Sequence, residues 1–115
     1  NYRPMPRHDQ EVLMNRVRDS ATRCGVEIEI KKTGDPFITP VASDIIQAAL
    51  QATGTDTTHT VSYGTDGLIF GAAMELVVMG PGDIQQAHTV NEWMALDQFG
   101  QAIDIYRKMI DSFCI

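Results

Sequence analysis

The sequence has no apolar stretch close to the roughly 20 residues that a membrane-spanning helix needs, and no signal peptide is recognisable in it. It is also poor in positive charge, because 9 Lys and Arg stand against 15 Asp and Glu, for a net charge of −6. A protein with a net negative charge repels phosphate groups, which disfavours nucleic acids and acidic membranes as partners. The composition therefore predicts a cytoplasmic protein that binds neither nucleic acid nor membrane.

Cysteine is scarce, and several catalytic motifs are missing. Cys24 and Cys114 form no Cys-x-x-Cys pair, so we expect two reduced, partly buried thiols. The sequence contains no His-Glu-x-x-His zinc motif, no Gly-x-Ser-x-Gly nucleophile turn and no Walker-type phosphate loop. Any chemistry must therefore come from residues that are scattered along the chain.

What the sequence does contain is enough apolar residues for one modest core. Its 115 residues are 43% hydrophobic and 21% charged, which is ordinary for a globular protein and argues against disorder. The chain begins at Asn1 without a methionine, inside what reads as the end of a strand. That start indicates a piece of a longer polypeptide.

The first 37 residues predict a strand end, a helix and a strand. Pro4 and Pro6 stop ladder pairing after residues 1–3, Asp9 is placed to cap a helix, and Gly25 suits its end. Residues 26–32 then alternate between apolar and charged side chains, which is typical of a strand with one covered face.

The remaining residues predict the α/β order of a parallel or mixed sheet. The expected elements are a helix from Thr39-Pro40 to about Gly54, a short strand at 59–63, one or two helical turns at 68–70, a buried strand at 75–79, and a long helix from about Asn91 to Phe113.

Residues 79–93 carry the leading candidate for a functional residue. Gly80-Pro81-Gly82 must turn the chain at the end of the 75–79 strand, and His88 follows in a polar loop. Open α/β sheets place their sites in such loops, and neutral imidazole is a common metal ligand. A loop histidine that only makes surface hydrogen bonds is the alternative; His8 and His59 lie in weaker contexts.

Three further features each allow a functional and a purely structural interpretation. The turn around Gly82 either presents backbone N–H groups to a carboxylate or simply ends a strand. Thr65, within Gly64-Thr65-Asp66-Gly67, either faces a pocket or caps the next turn. Arg3 either clamps a carboxylate through its planar guanidinium or is a surface residue.

The order of these features resembles the C-terminal part of a dinuclear zinc amidohydrolase. The resemblance rests on Tyr2-Arg3-Pro4-Met5-Pro6, Gly64-Thr65-Asp66-Gly67, Gly80-Pro81-Gly82-Asp83-Ile84-Gln85-Gln86-Ala87-His88 and Asn91-Glu92-Trp93. The family is that of acetylornithine deacetylase, succinyl-diaminopimelate desuccinylase, aminoacylase and glutamate carboxypeptidase. The run from Gly80 to His88 is most similar to the acetylornithine deacetylase branch.

The resemblance implies a role for each matching residue. His88 would be the last ligand of the two-metal site, and Arg3 would grip the carboxylate of the substrate. Thr65 and the backbone around Gly82 would line the substrate pocket. Asn91 and Glu92 would cap the final helix and support the loop that carries His88.

The resemblance also implies a fold and a set of partners. Residues 1–37 would be the C-terminal half of an α+β lid or dimerisation domain, and residues 38–115 the end portion of a mixed-sheet α/β catalytic domain. The intact enzyme would hold two zinc ions, with cobalt as an alternative, would hydrolyse an N-acyl amino acid and would form a homo-oligomer. A succinyl-diaminopimelate desuccinylase or a carboxypeptidase of the same family is the nearest alternative.

The family's other metal ligands and its catalytic glutamate have no counterpart in this sequence. We therefore expect no catalytic residue in this chain, weak zinc binding at best, and no activity of the chain alone. A non-catalytic α/β binding or assembly module is the alternative from a different functional class.

Overall fold

A computed structural model describes residues 3, 5–6, 8–31, 34–87 and 89–114. It contains, in chain order, α1 (Gln10–Arg23), α2 (Asp44–Thr53), α3 (Gly67–Phe70) and α4 (Leu96–Cys114). The chain divides into two compact units, one made of Asn1–Ile38 with Val61–Met74 and the other of Thr39–Thr60 with Glu75–Ile115. No helix among the described residues is long and apolar enough to cross a membrane.

Helix α1 in the first unit forms where the sequence predicts it. The Asp9 carboxylate accepts a hydrogen bond from the Val12 N–H at 3.0 Å, which satisfies one of the unpaired donors of the first turn. At the other end, Gly25 has a φ of +67°, a left-handed conformation that glycine adopts without steric cost. Local capping signals therefore set both ends of this helix.

Gly67, the first residue of the short helix α3, and Gly71, which directly follows the helix, both pack against Phe37 in the same unit. A Cβ atom added to Gly67 would lie 2.6 Å from the Phe37 Cε1, and one added to Gly71 would lie 2.8 Å from the Phe37 Cβ. Real side chains do not approach that closely, so both positions need glycine because of packing. The predicted helical turn at 68–70 is confirmed.

The second unit has its core between α2 and α4. Ala49, Ala52 and Met109 are buried there, and further apolar side chains pack on them: Ile45, Ala48, Val77, Met79 and Ile105. Small alanines on α2 allow α4 to approach closely. Residues 75–79, which join no ladder with other described residues, lie against this core through Val77 and Met79.

The predicted starts of α2 and α4 are wrong, whereas their ends are right. Helix α2 begins at Asp44, because Thr39 is engaged with Leu76 and a turn closes from the Ser43 N–H to the Pro40 carbonyl at 3.0 Å. Helix α4 begins at Leu96. Asn91 has a φ of +67°, which is incompatible with a first helical residue.

Four segments are predicted as strands. The strand end at residues 1–3 lies outside the described residues except for Arg3, and the other three segments form no β-ladder among the described residues. Residues 26–31 and 75–79 run without a paired neighbour, and residues 62–63 bend. A strand needs a second strand to satisfy its backbone N–H and C=O groups, and alternation alone does not supply one. The α/β mixed-sheet fold and the domain limits at 37 and 38 therefore stay predictions.

Both cysteines are exposed free thiols, so the expectation that they are partly buried is wrong. Cys24 directly follows the last residue of α1, and Cys114 is the last residue of α4. A residue at a helix end has few neighbours, and neither cysteine belongs to the α2–α4 core.

Candidate functional site

The histidine loop (residues 80–92) follows a segment whose backbone is hydrogen-bonded by side chains from elsewhere in the chain. The Thr39 hydroxyl donates to the Leu76 carbonyl and accepts a hydrogen bond from the Leu76 N–H at 3.2 Å. The Tyr106 hydroxyl on α4 donates to the Met79 carbonyl at 3.2 Å. Met79, which packs against the α2–α4 core, thus leads directly into the Gly80-Pro81-Gly82 turn.

The turn itself depends on one glycine. Gly82 has a φ of +90°, which side chains rarely adopt, so this position favours glycine for its backbone conformation. A Cβ at Gly82 would lie 3.7 Å from the Met94 Cγ, which is ordinary contact. Conformation therefore constrains this residue more than space does. The prediction that the chain turns sharply here is confirmed.

Hydrogen bonds within the loop order the residues that follow. The Asp83 carboxylate accepts a hydrogen bond from the Gln85 N–H at 2.8 Å. The backbone carbonyl of Asp83 accepts one from the Gln86 N–H at 2.9 Å. The Thr89 hydroxyl donates to the Gln86 carbonyl at 2.9 Å. These contacts make a compact turn from local bonds alone, as short polar side chains commonly do.

A cavity of about 320 Å³ opens beside the histidine loop. Its volume is in the range of small-molecule sites. It is lined by Pro81, Gly82, Asp83, Gln86, Ala87, Glu92, Trp93 and Met94. Two carboxylates and one aromatic ring thus meet in one concave surface, formed by residues that precede and follow His88 in the sequence.

The structure brings together two of the predicted site residues of this unit, Gly82 and Glu92, which both line the cavity. Asn91 precedes Glu92 in a left-handed conformation. Because α4 starts at Leu96, neither Asn91 nor Glu92 caps that helix, which corrects the predicted capping role. Their support of the loop stays a prediction. His88 itself lies outside the described residues, and so its role as a ligand also stays a prediction.

Arg3 and Thr65 belong to the other unit. The exposed Arg3 donates from Nη1 to the Ser62 carbonyl at 2.8 Å, which ties the start of the chain to a residue 59 positions later. The Thr65 hydroxyl accepts from the Gly67 N–H at 3.1 Å and so forms a local turn at the start of α3. Their predicted roles in substrate binding stay predictions.

The described residues do not by themselves fit a metal centre. Within 3, 5–6, 8–31, 34–87 and 89–114, no three His, Cys, Asp or Glu side chains are grouped so that they can hold an ion. Divalent zinc needs three or four protein ligands. Further ligands would therefore have to come from outside the described part of this chain.

Sequence reasoning missed the residues that contact the segment before the histidine loop. Thr39 reads as a helix cap because Pro40 follows it, and Tyr106 reads as one member of the apolar stripe of α4. Their contacts to Leu76 and Met79 span 37 and 27 residues. No local sequence pattern predicts hydrogen bonds between residues so far apart in the chain.

Comparisons with known proteins agree on one family. A sequence model of the family described as Peptidase family M20/M25/M40 matches residues 4–112. The chain is 30% identical over 125 residues to the acetylornithine deacetylase of Aliivibrio fischeri (strain ATCC 700601 / ES114), covering 99% of this chain and 32% of that protein. It is 33% identical over 94 residues to the succinyl-diaminopimelate desuccinylase of Psychrobacter arcticus, covering 77% of this chain and 23% of that protein.

A third relative is the acetylornithine deacetylase of Myxococcus xanthus, which is 25% identical over 98% of this chain and 32% of its own length. No solved structure matches the chain. The chain thus spans about a third of the length of the acetylornithine deacetylases that it matches.

Proposed function

Because the chain belongs to the peptidase family M20/M25/M40, we propose that it is part of a metal-dependent N-acyl-amino-acid deacylase similar to acetylornithine deacetylase. Membership confirms the resemblance that the scattered motifs indicated. The observation that carries the proposal is the family match over residues 4–112, which includes every candidate site residue except Arg3. That the segment is the C-terminal part of the longer enzyme belongs to the same proposal.

Within this proposal, His88 is one ligand of a site that holds two zinc ions, with cobalt as the alternative. The other ligands and the catalytic base come from the rest of a longer protein, since the relatives are about three times as long as this chain. This chain alone is then inactive. The histidine loop contributes that one ligand, and described residues of the loop line a concave, partly acidic surface.

The remaining residues act on the loop and on the substrate. Glu92 lines the cavity, and a carboxylate in that position suits an acceptor for the second ring N–H of a ligand histidine, a common arrangement at metal sites. Asn91 provides the left-handed bend that brings Glu92 to the cavity. Gly82 lines the cavity. For Thr65 and Arg3 we keep the roles that the family resemblance implies, substrate binding by Thr65 and a grip on the carboxylate of the amino acid by the planar guanidinium of Arg3.

The preferred substrate is an N-acetyl amino acid. Acetylornithine deacetylases match almost the whole chain, whereas the desuccinylase aligns over 77% of it. Hydrolysis of a succinylated substrate or of a carboxy-terminal peptide bond is the alternative within the family. We also propose a cytoplasmic homo-oligomer.

The test is a substrate panel applied to the intact protein, meaning the longer polypeptide of which this chain is proposed to be a part. We expect N-acetylornithine to give a higher kcat/KM than N-succinyl-diaminopimelate or a glutamyl peptide, with zinc or cobalt present. The purified 115-residue chain should hydrolyse none of them. Turnover by this chain alone would overturn the proposal.

The coding sequence upstream of Asn1 distinguishes the enzyme proposal from a non-catalytic module. The enzyme proposal requires a His-x-Asp segment and a Glu-Glu pair there. An initiation codon directly before Asn1 would instead favour a non-catalytic binding or assembly module.

A further inference from the structure

Residues 76–79 lead into the histidine loop without a strand partner among the described residues. Backbone N–H and C=O groups in such a segment still need hydrogen-bond partners. Val77 and Met79 pack on the α2–α4 core. Apolar packing is non-directional, so it does not by itself prevent the segment from sliding along its own axis. Directional contacts at the ends of the segment supply that constraint.

Thr39 provides the contact at the start of the segment. Its half-buried hydroxyl both donates to the Leu76 carbonyl and accepts from the Leu76 N–H. One side chain thus satisfies both backbone groups of Leu76, as a neighbouring strand would. Because both bonds are partly buried, water replaces them poorly when the hydroxyl is removed.

Tyr106 provides the contact at the end of the segment. Its hydroxyl donates to the Met79 carbonyl at 3.2 Å. A Cβ added to Gly80 would lie 3.9 Å from the Tyr106 hydroxyl oxygen. The hydrogen-bond distance is long for an O–H···O bond, and Tyr106 is 41% exposed. This contact is therefore the weaker of the two.

We propose that the hydroxyls of Thr39 and Tyr106 are positioning groups that fix residues 76–79 and, through them, the start of the histidine loop. The effect on the ligand His88 rests on the proposed function. The anchoring of the segment does not, because it follows from the contacts at Leu76 and Met79. Neither side chain is expected to touch substrate or metal.

Amide hydrogen exchange in the 115-residue chain tests the anchoring. In the peptide that covers residues 76–87, we expect exchange to rise roughly five- to tenfold in Thr39→Val and about two- to fivefold in Tyr106→Phe, the range that lost hydrogen bonds of this kind produce. Thr39→Ser keeps the hydroxyl and should restore slow exchange.

Two control variants each lose a hydroxyl that donates to a backbone carbonyl of its own helix. Thr53 donates to the Ala49 carbonyl on α2, and Ser112 donates to the Lys108 carbonyl on α4. Thr53→Val and Ser112→Ala should leave exchange at residues 76–87 unchanged. Unchanged exchange in both Thr39→Val and Tyr106→Phe, or a uniform rise across α2 and α4, would overturn the anchoring.

Zinc binding by the intact protein tests whether anchoring matters for the site. Thr39→Val should raise the zinc dissociation constant several-fold and lower kcat more than it changes KM, whereas Thr53→Val should not. Faster exchange with unchanged zinc affinity would overturn the positioning role. If His88→Ala leaves the metal content intact, the proposed function fails, and the exchange result still decides the anchoring.

Discussion

At the scale of single residues, close packing explains glycines that the sequence leaves ambiguous. Gly67 belongs to a motif that reads equally well as part of a pocket or as a turn, and the structure shows that it accommodates the ring of Phe37. Gly71 does the same for the Phe37 Cβ. The sequence predicts a turn here, but it does not identify the side chain that requires the small residues.

Replacing one of these glycines tests this packing directly. Gly71→Ala should destabilise the first unit by about 1–3 kcal/mol, because the new methyl group would overlap the Phe37 Cβ. Gly100→Ala is the matched control on α4, where an added Cβ meets no atom within 4 Å. Its higher helix propensity should stabilise that helix by up to roughly 1 kcal/mol.

Urea unfolding followed by circular dichroism, together with amide exchange of residues 64–74, measures both effects. A Gly71→Ala protein with unchanged exchange in that stretch would contradict the packing account.

The candidate site shows the same limit of sequence reasoning. The turn at Gly82 is predictable, because two glycines around a proline cannot continue a strand or a helix. The cavity that Gly82 shares with Glu92 and Trp93 depends on how the chain returns after His88. The bond from Arg3 to Ser62 links residues that no sequence pattern associates.

At the scale of secondary structure elements, helix ends with local signals are predicted and those under long-range control are not. The capping residues Asp9 and Gly54 are recognisable in the sequence. Helix α1 begins directly after Asp9, and helix α2 ends directly before Gly54. The start of α2 is delayed to Asp44 because Thr39 binds Leu76 instead of capping a first turn. The Thr39 and Tyr106 variants described above address the same segment.

The segments predicted as strands show what periodicity can and cannot establish. Apolar and charged side chains alternate over residues 26–31, yet Val26, Ile28 and Ile30 remain 42–56% exposed, so the structure shows no covered face on this segment. Whether such a segment joins a sheet depends on a partner elsewhere in space, which its own pattern does not encode. The mixed sheet therefore stays a prediction.

At the scale of the whole molecule, much of the apolar surface is uncovered. Among the described residues, only Ile46, Ala49, Ala52, Ala102 and Met109 are buried hydrophobic residues. Large apolar side chains on α4 and in the loops are far more exposed, with Leu96 at 89% and Val90 at 93%. Contiguous exposed apolar surface is a common cause of association.

We therefore expect the isolated chain to self-associate. Light scattering at high concentration should give a mass above the 12.7 kDa of one chain. Leu96→Glu should reduce the association, because it introduces a charge into the exposed apolar stripe of α4. Gln101→Glu adds the same charge at an exposed polar position of α4 and should have little effect. A monomer at high concentration would contradict the expectation.

The central claim is that His88 is one ligand of a metal site completed by the rest of a longer enzyme, and metal content tests it most directly. Zinc measured per protomer of the intact protein should fall by one equivalent in His88→Ala, with loss of most deacylase activity. His59→Ala, which changes an exposed histidine that is not among the residues lining the cavity, should keep both. A His88→Ala protein that retains its full metal content and activity would contradict the account.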